Sequence, residues 1–115
     1  MLNFIKFDKD NSSPELIKFL KLLFPEINAA RWRWEYRENP EFRGLVYLAT
    51  YKSKIIAHYA FIIGKYKFNN STYKIAKAEG SIANIKEILK LPKEERRVFK
   101  KLVSYSLKDL KKQNV

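Results

Sequence analysis

The spacing of apolar residues predicts one strand and one helix in the first quarter of the chain. Residues Leu2 to Phe7 alternate loosely between apolar and polar side chains, which is typical of a short strand. Ser13, Pro14 and Glu15 then form a helix start, because a hydroxyl caps free amides and proline fits the first turn. The helix is expected to end near Phe24, before a proline. Its apolar stripe, at helical spacing, consists of Leu16, Ile17, Leu20, Leu23, Phe24 and Ile27.

The middle of the chain predicts a meander of three antiparallel strands. The strands are Leu45 to Tyr51, Ile55 to Phe68 and Thr72 to about Ile82. Tight turns at Lys52–Lys54 and Asn69–Ser71 connect them, since Asn and Ser are typical turn residues. The first part of the second strand is apolar on both faces, which indicates a central strand covered on two sides.

Two further segments flank this meander. Residues 29–40 interleave aromatic and charged side chains, which fits either an extended segment or a partly exposed helical turn. After the meander, Ala83 to Leu91 predicts a short helix, and Pro92 opens a second one that runs to about Lys112. The expected buried stripe of this last helix consists of Val98, Phe99, Leu102, Val103, Ser106, Leu107 and Leu110.

Together these elements predict a single α+β domain over residues 1–115. Its core is a mixed, largely antiparallel sheet of about four strands with helices packed on it. A chain of 115 residues leaves no room for a second module.

Composition narrows the function classes. The chain has no Cys and one His, so disulfides and thiolate metal sites are excluded and metal chemistry is set aside. No apolar run approaches the roughly 18–20 residues that span a bilayer, and the start does not resemble a signal peptide. We therefore expect a cytoplasmic protein without a membrane partner.

The net charge of +12 is the largest departure from an average composition. Such an excess can indicate a nucleic-acid partner. However, the chain has 18 Lys and 6 Arg with many Ile and Asn residues, a bias that an A/T-rich genome produces without any such partner.

The order of elements and four local phrases resemble the front portion of the GNAT family of N-acetyltransferases. The phrases are Trp34–Pro40 (WEYRENP), Ile55–Ala60 (IIAHYA), Ala76–Ser81 (AKAEGS) and Val98–Lys112 (VFKKLVSYSLKDLKK). The resemblance covers about Leu2 to Val115. It implies acetyl-CoA-dependent transfer to a small amine or an amino-sugar.

The resemblance also implies roles for individual residues. Glu79 is the candidate general base, the alternative being a solvent-facing strand residue. The backbone of Ser81, Ile82 and Ala83 would face the thioester, although simple sheet pairing is an equal alternative. Arg96 and Arg97 could grip the pyrophosphate, because Arg forks match phosphate geometry, or belong to an ordinary solvated helix face.

The acceptor side is implied in the same way. Trp32, Trp34 and Tyr36 would line the acceptor pocket, or else cap the core, where large aromatic residues usually pack. His58 lies in a central strand and is more typical of a core histidine with satisfied hydrogen bonds than of a catalyst.

Two departures from the family pattern qualify these expectations. The family places a Gly-rich phrase before the last helix, where backbone amides hold pyrophosphate, but no glycine lies between Ile82 and Val98. The family also continues into a further strand, so the chain is expected to be truncated or completed by a second copy or a partner chain. The expected function is therefore an N-acyltransferase, active or degenerate, that binds acetyl-CoA weakly or not at all. The alternative is a basic non-catalytic module that binds nucleic acid or a partner chain.

Overall fold

The computed structural model describes residues 2–113, and within them one antiparallel sheet forms the centre of the fold. Its strands lie in the order in which they follow along the chain. This confirms the α+β prediction and the antiparallel meander. The strands are β1 (Leu2–Phe7), β2 (Arg43–Tyr51), β3 (Lys54–Phe68) and β4 (Ser71–Ala83).

Two-residue turns connect β2 to β3 and β3 to β4. Lys52 and Ser53 form the first turn, Asn69 and Asn70 the second, and all four residues have positive φ. Two consecutive residues with positive φ match the twist of antiparallel strands, so each turn fixes the register of its hairpin.

Helices cover both faces of the sheet. On one face lie α1 (Pro14–Leu20) and α2 (Ala29–Arg33), which continues as a π-helical turn over Trp34–Glu38. On the other face lies α4 (Val98–Lys112), preceded by the one-turn helix α3 (Ile85–Ile88). Two separate apolar layers result, one on each side of β2 and β3. No helix within residues 2–113 is long and apolar enough to cross a membrane.

The boundaries of two helices differ from the prediction. The first helix begins at the predicted cap, where Ser13 Oγ accepts a hydrogen bond from the Leu16 amide at 3.1 Å. It ends at Leu20 rather than near Phe24, because the chain then tightens into turns in which the Leu22 and Leu23 amides donate to carbonyl oxygens three residues earlier. Leu23 and Phe24, expected in the buried stripe, are consequently exposed.

The last helix also begins later than predicted. A 3-10 turn at Lys93–Glu95 replaces its expected first turn, and the non-helical backbone of Arg97 separates this turn from α4. The buried residues of α4 are four apart, Val98, Leu102, Ser106 and Leu110, and form a narrow stripe. Leu107, expected in that stripe, is exposed.

Arg37 fixes the segment that carries the WEYRENP phrase. Its guanidinium donates to four backbone carbonyl oxygens, of Phe7, Lys9, Tyr36 and Gly44. Its Cζ atom also lies 4.8 Å from the ring centre of a tryptophan, Trp32. Because β1, the π-helical turn and β2 all supply these acceptors, one side chain holds three elements together.

Candidate functional site

A bulge near the end of β4 shapes the candidate site. His58 pairs with Ile82 and Ala60 pairs with Glu79, so two residues of β4, Gly80 and Ser81, oppose one residue of β3. Gly80 has φ +67°, the left-handed conformation that this kind of bulge places on glycine. The bulge was not predicted, although a lone glycine inside a strand pattern is its usual signal.

Glycine is needed at position 80 for a second reason. A Cβ atom there would lie 3.2 Å from Tyr36 Oη and 3.2 Å from His58 Cε1. The bare backbone of Gly80 thus lets the tyrosine hydroxyl and the imidazole approach the strand from the same side. Bulges commonly re-aim side chains next to functional sites.

His58 is fully buried and only half satisfied in its hydrogen bonding. Its Nδ1 lies 2.5 Å from the Gly80 carbonyl oxygen. Because that oxygen can only accept, Nδ1 carries the proton. Nε2 has no hydrogen-bond partner within residues 2–113. Burial lowers the pKa of the imidazole to about 4, so His58 is neutral near pH 7.

Beside the bulge, a groove of about 300 Å³ runs between β4 and the connection from α1 to α2. Tyr36 lies at its wall, with only 3% of the residue exposed. Its hydroxyl has no hydrogen-bond partner among the described residues. Burial raises the pKa of this hydroxyl, and the charges of Glu79 and Glu35 raise it further. The hydroxyl is therefore an uncharged donor that is free to bind a ligand.

Carboxylates dominate the charge of this groove. Glu26, Glu35 and Glu79 line it together with one cation, Arg31. Arg31 Nε donates to Glu35 Oε1 at 3.0 Å and neutralises that carboxylate. Glu79 has no ion-pair partner in the described part of the chain. A groove with net negative charge in a protein of net charge +12 favours a cationic ligand.

The structure separates the three aromatic residues predicted for the acceptor pocket. Tyr36 lines the groove, whereas Trp32 is fully buried and packs edge-on against Phe7 at a ring separation of 5.7 Å. Trp34 is 53% exposed and does not line the groove. The core alternative thus applies to Trp32. Leu23 and Phe24, which were not predicted for the site, also line the groove beyond the end of α1.

The predicted cofactor side is only partly assembled. Asn84 N donates to Ile56 O, so in the alternating ladder the neighbouring Ala83 amide points to the open side of β4. Ser81 is exposed and Ile82 is buried at the same end of the strand. No strand pairs with this side of β4 among the described residues. An extended ligand can therefore reach the Ala83 amide.

The residues before α4 do not fit the diphosphate of acetyl-CoA. None of residues 84–97 has positive φ, which a cradle of converging amides needs. Arg96 Nε donates to Leu91 O at 3.0 Å and thus stabilises the connection to α4. Arg97 is exposed at the start of α4, where no side chain caps the helix. Within residues 2–113 no group of three His, Cys, Asp or Glu could hold a metal ion.

No protein-family model, curated protein or solved structure matches the chain. The function therefore has to be inferred from the site itself.

Proposed function

We propose that the chain is a GNAT-like N-acyltransferase unit whose acceptor side binds a small primary amine or an amino-sugar. The observation that carries the proposal is the Glu79 carboxylate, which lies beside the unpartnered Tyr36 hydroxyl in a groove of net negative charge. The resemblance of the WEYRENP and AKAEGS phrases to the family supports the same assignment. A cytoplasmic location stays a prediction.

The groove matches the chemistry of an amine acceptor. An amine is protonated near neutral pH, so a carboxylate attracts it and can then accept its proton before the nitrogen attacks an acyl carbon. Glu79 is exposed and can pass that proton on to water. The Tyr36 hydroxyl can donate to an oxygen or nitrogen of the bound acceptor and fix its orientation.

The donor side is proposed to bind acetyl-CoA only weakly. The open side of β4 and the Ala83 amide suit the extended arm of an acyl donor, but no described residue forms a diphosphate cradle. We therefore expect acetyl-CoA to bind in the millimolar range or not at all. Arg96 and Arg97, which directly precede α4, are the candidate contacts for the phosphates of a weakly bound donor.

Amine binding can be tested by NMR titration with glucosamine and 1,4-diaminobutane as probes. We expect the largest shift changes at the amides of residues 79–81 and at the Tyr36 ring. Replacing Glu79 with Gln should weaken binding about fivefold or more, because it removes one of the two groove carboxylates, Glu26 and Glu79, that form no ion pair among the described residues. Glu94→Gln, which removes an exposed carboxylate that does not line the groove, is the matched control and should bind like the wild type.

The donor side has its own measurement. Because the chain has no Cys, a thiol dye reads the release of coenzyme A without background from the protein. Calorimetry with acetyl-CoA should show no micromolar binding. Micromolar binding would disprove the assignment of a missing cradle, and an absence of amine binding in the titration would disprove the proposed function.

A further inference from the structure

The far halves of β3 and β4 form a ribbon with a chemistry that the groove does not use. We define the ribbon as residues 65–77, which contain four Lys and no Asp or Glu. Three aromatic residues and one isoleucine on it are exposed: Tyr66 by 43%, Phe68 by 67%, Tyr73 by 50% and Ile75 by 45%.

The exposed apolar side chains of the ribbon share one face of the sheet. Tyr66 pairs directly with Tyr73, and Phe68 and Ile75 lie two residues from them along their own strands. Side chains two apart on a strand point to the same face and lie about 7 Å from one another. The four side chains thus form a flat apolar strip that extends beyond both helical layers.

The ribbon lysines lie on both faces of the sheet and have no ion-pair partners among the described residues. Lys77 shares the face of the apolar strip, whereas Lys65, Lys67 and Lys74 alternate with the strip residues and point to the opposite face. Lys65 and Lys74 lie directly opposite each other in the ladder, an arrangement that costs stability because like charges repel. No ion pair within residues 2–113 involves Lys65, Lys67, Lys74 or Lys77. Lys74 Nζ donates to the Gln113 carbonyl oxygen at 3.5 Å, but no carboxylate of the described chain neutralises the pair. An anionic ligand would remove the repulsion.

A groove of about 710 Å³ at the base of the ribbon joins the lysines to the aromatic rings. Lys65 and Lys74 line it together with Arg43, Phe42 and Tyr66. Glu41 is the single carboxylate among its described lining residues. Flat rings and cations therefore meet in one concave surface.

We propose that this ribbon binds single-stranded nucleic acid. Exposed bases would stack on Tyr66, Tyr73 and Phe68, and Lys77 would contact backbone phosphates on the same face. Around the edge of β3 that β2 leaves unpaired beyond Ile63, phosphates would also contact Arg43 and the lysines of the opposite face. Sheets that present aromatic rings beside cations bind single strands in this way, because every base has a flat apolar face. A duplex offers no free base faces to the rings. The tip of the ribbon, Asn69 and Asn70, is polar, which argues against insertion into a membrane.

The central experiment measures binding by fluorescence anisotropy. The probes are labelled oligothymidylate and oligouridylate of about 16 nucleotides, the upper end of a small platform's site size, and a duplex of the same length. We expect the single strands to bind at least about tenfold more tightly than the duplex. Tyr66→Ala and Tyr73→Ala should each weaken single-strand binding about tenfold, since each removes one stacking surface. Tyr66→Phe, which keeps the aromatic ring, should bind single strands like the wild type.

Two sets of lysine replacements distinguish binding at the ribbon from general electrostatic attraction to a basic protein. In the ribbon variant, Lys65, Lys67, Lys74 and Lys77 are changed to Gln, and in the matched control the exposed residues Lys93, Lys100, Lys101 and Lys108 are changed to Gln. For single strands, each phosphate contact contributes about 0.7 to the slope of log affinity against log salt. The ribbon variant should therefore lose about 3 from this slope, and the control less than about 1. Equal losses in both variants would disprove the proposal.

Two further experiments on the same variants test other partners for the ribbon. Vesicles of phosphatidylcholine with about one quarter phosphatidylserine test a lipid surface. Sedimentation tests a second copy of the chain. Vesicle binding or dimerisation that requires Tyr66 and Tyr73, with oligonucleotide affinity unaffected by their loss, would overturn the proposal. Circular dichroism on each variant confirms that the fold is retained.

Discussion

Acidification is expected to destabilise the fold through one buried imidazole, that of His58. In the folded state burial lowers its pKa to about 4, against an ordinary value of 6.5. The unfolded chain therefore binds a proton more readily than the folded one, and stability falls as pH decreases from about 6.5 towards 4. By pH 4.5, this difference in proton binding lowers the free energy of unfolding by about 2.5 kcal/mol. This is a large part of the stability of a small domain.

The structure explains why the folded state resists this proton. Nδ1 already donates to the Gly80 carbonyl, so protonation would have to occur at Nε2. Nε2 is buried without a partner within the described residues, and a new N–H there would be both charged and unpaired. The backbone hydrogen bond from Nδ1 opposes the shift but does not cancel it.

Because His58 is the sole histidine of the chain, NMR reads its titration without assignment. The measurement is complemented by urea unfolding from pH 7.5 to 4.5 for the wild type and for His58→Asn, whose amide can still donate to Gly80. Carboxylates titrate in both proteins, so the difference between the two pH profiles isolates the imidazole. A His58 pKa of 6 or above, or parallel profiles, would refute this reasoning.

Two substitutions test the parts of the fold that position the site. Gly80→Ala should lower the free energy of unfolding by about 2 kcal/mol, because alanine at φ +67° is strained and its Cβ meets Tyr36 and His58. The control Ser81→Ala, at the exposed neighbouring residue, should change this free energy by less than about 0.5 kcal/mol, and equal values for the two variants would contradict the bulge geometry. Arg37→Lys should lower the free energy of unfolding in urea by about 3 kcal/mol, because an ammonium cannot reach all four carbonyl oxygens that accept from the guanidinium. Arg33→Lys, at an exposed position, is the control, and a loss as small as the control's would show that the guanidinium is not essential.

Local signals in the sequence predict much of this fold. The bounds of β1 agree with the structure, and the other strands agree to within about two residues, because alternation and turn dipeptides are local properties. The Ser13 cap is equally local, since one hydroxyl meets an amide three residues away. The composition of residues 29–40 left their structure open, and they form a helix followed by a π-helical turn.

The candidate site depends on contacts that local pattern does not encode. Tyr36 reaches the groove because Arg37 anchors the π-helical turn to β1 and β2, across up to 30 positions of sequence. Trp32, only four residues earlier, packs into the core instead. The family resemblance therefore singled out the segment but did not distinguish which of its aromatic residues lines the groove. Glu79 was singled out through the family resemblance, and the acidic groove around it emerged only from the fold.

The two proposed sites share one face of β4, and their opposite charges keep them distinct. Glu79, at the groove, and Lys77, on the ribbon, are two residues apart and point to the same side. At physiological salt their fields overlap, because about 7 Å is within the screening length of about 8 Å. A bound polyanion is thus repelled at Glu79 and attracted from Lys77 onward, while an amine experiences the reverse. Lys65 and Lys67 lie far enough along the strand for their substitution to report on the ribbon alone, just as Glu79→Gln reports on the groove.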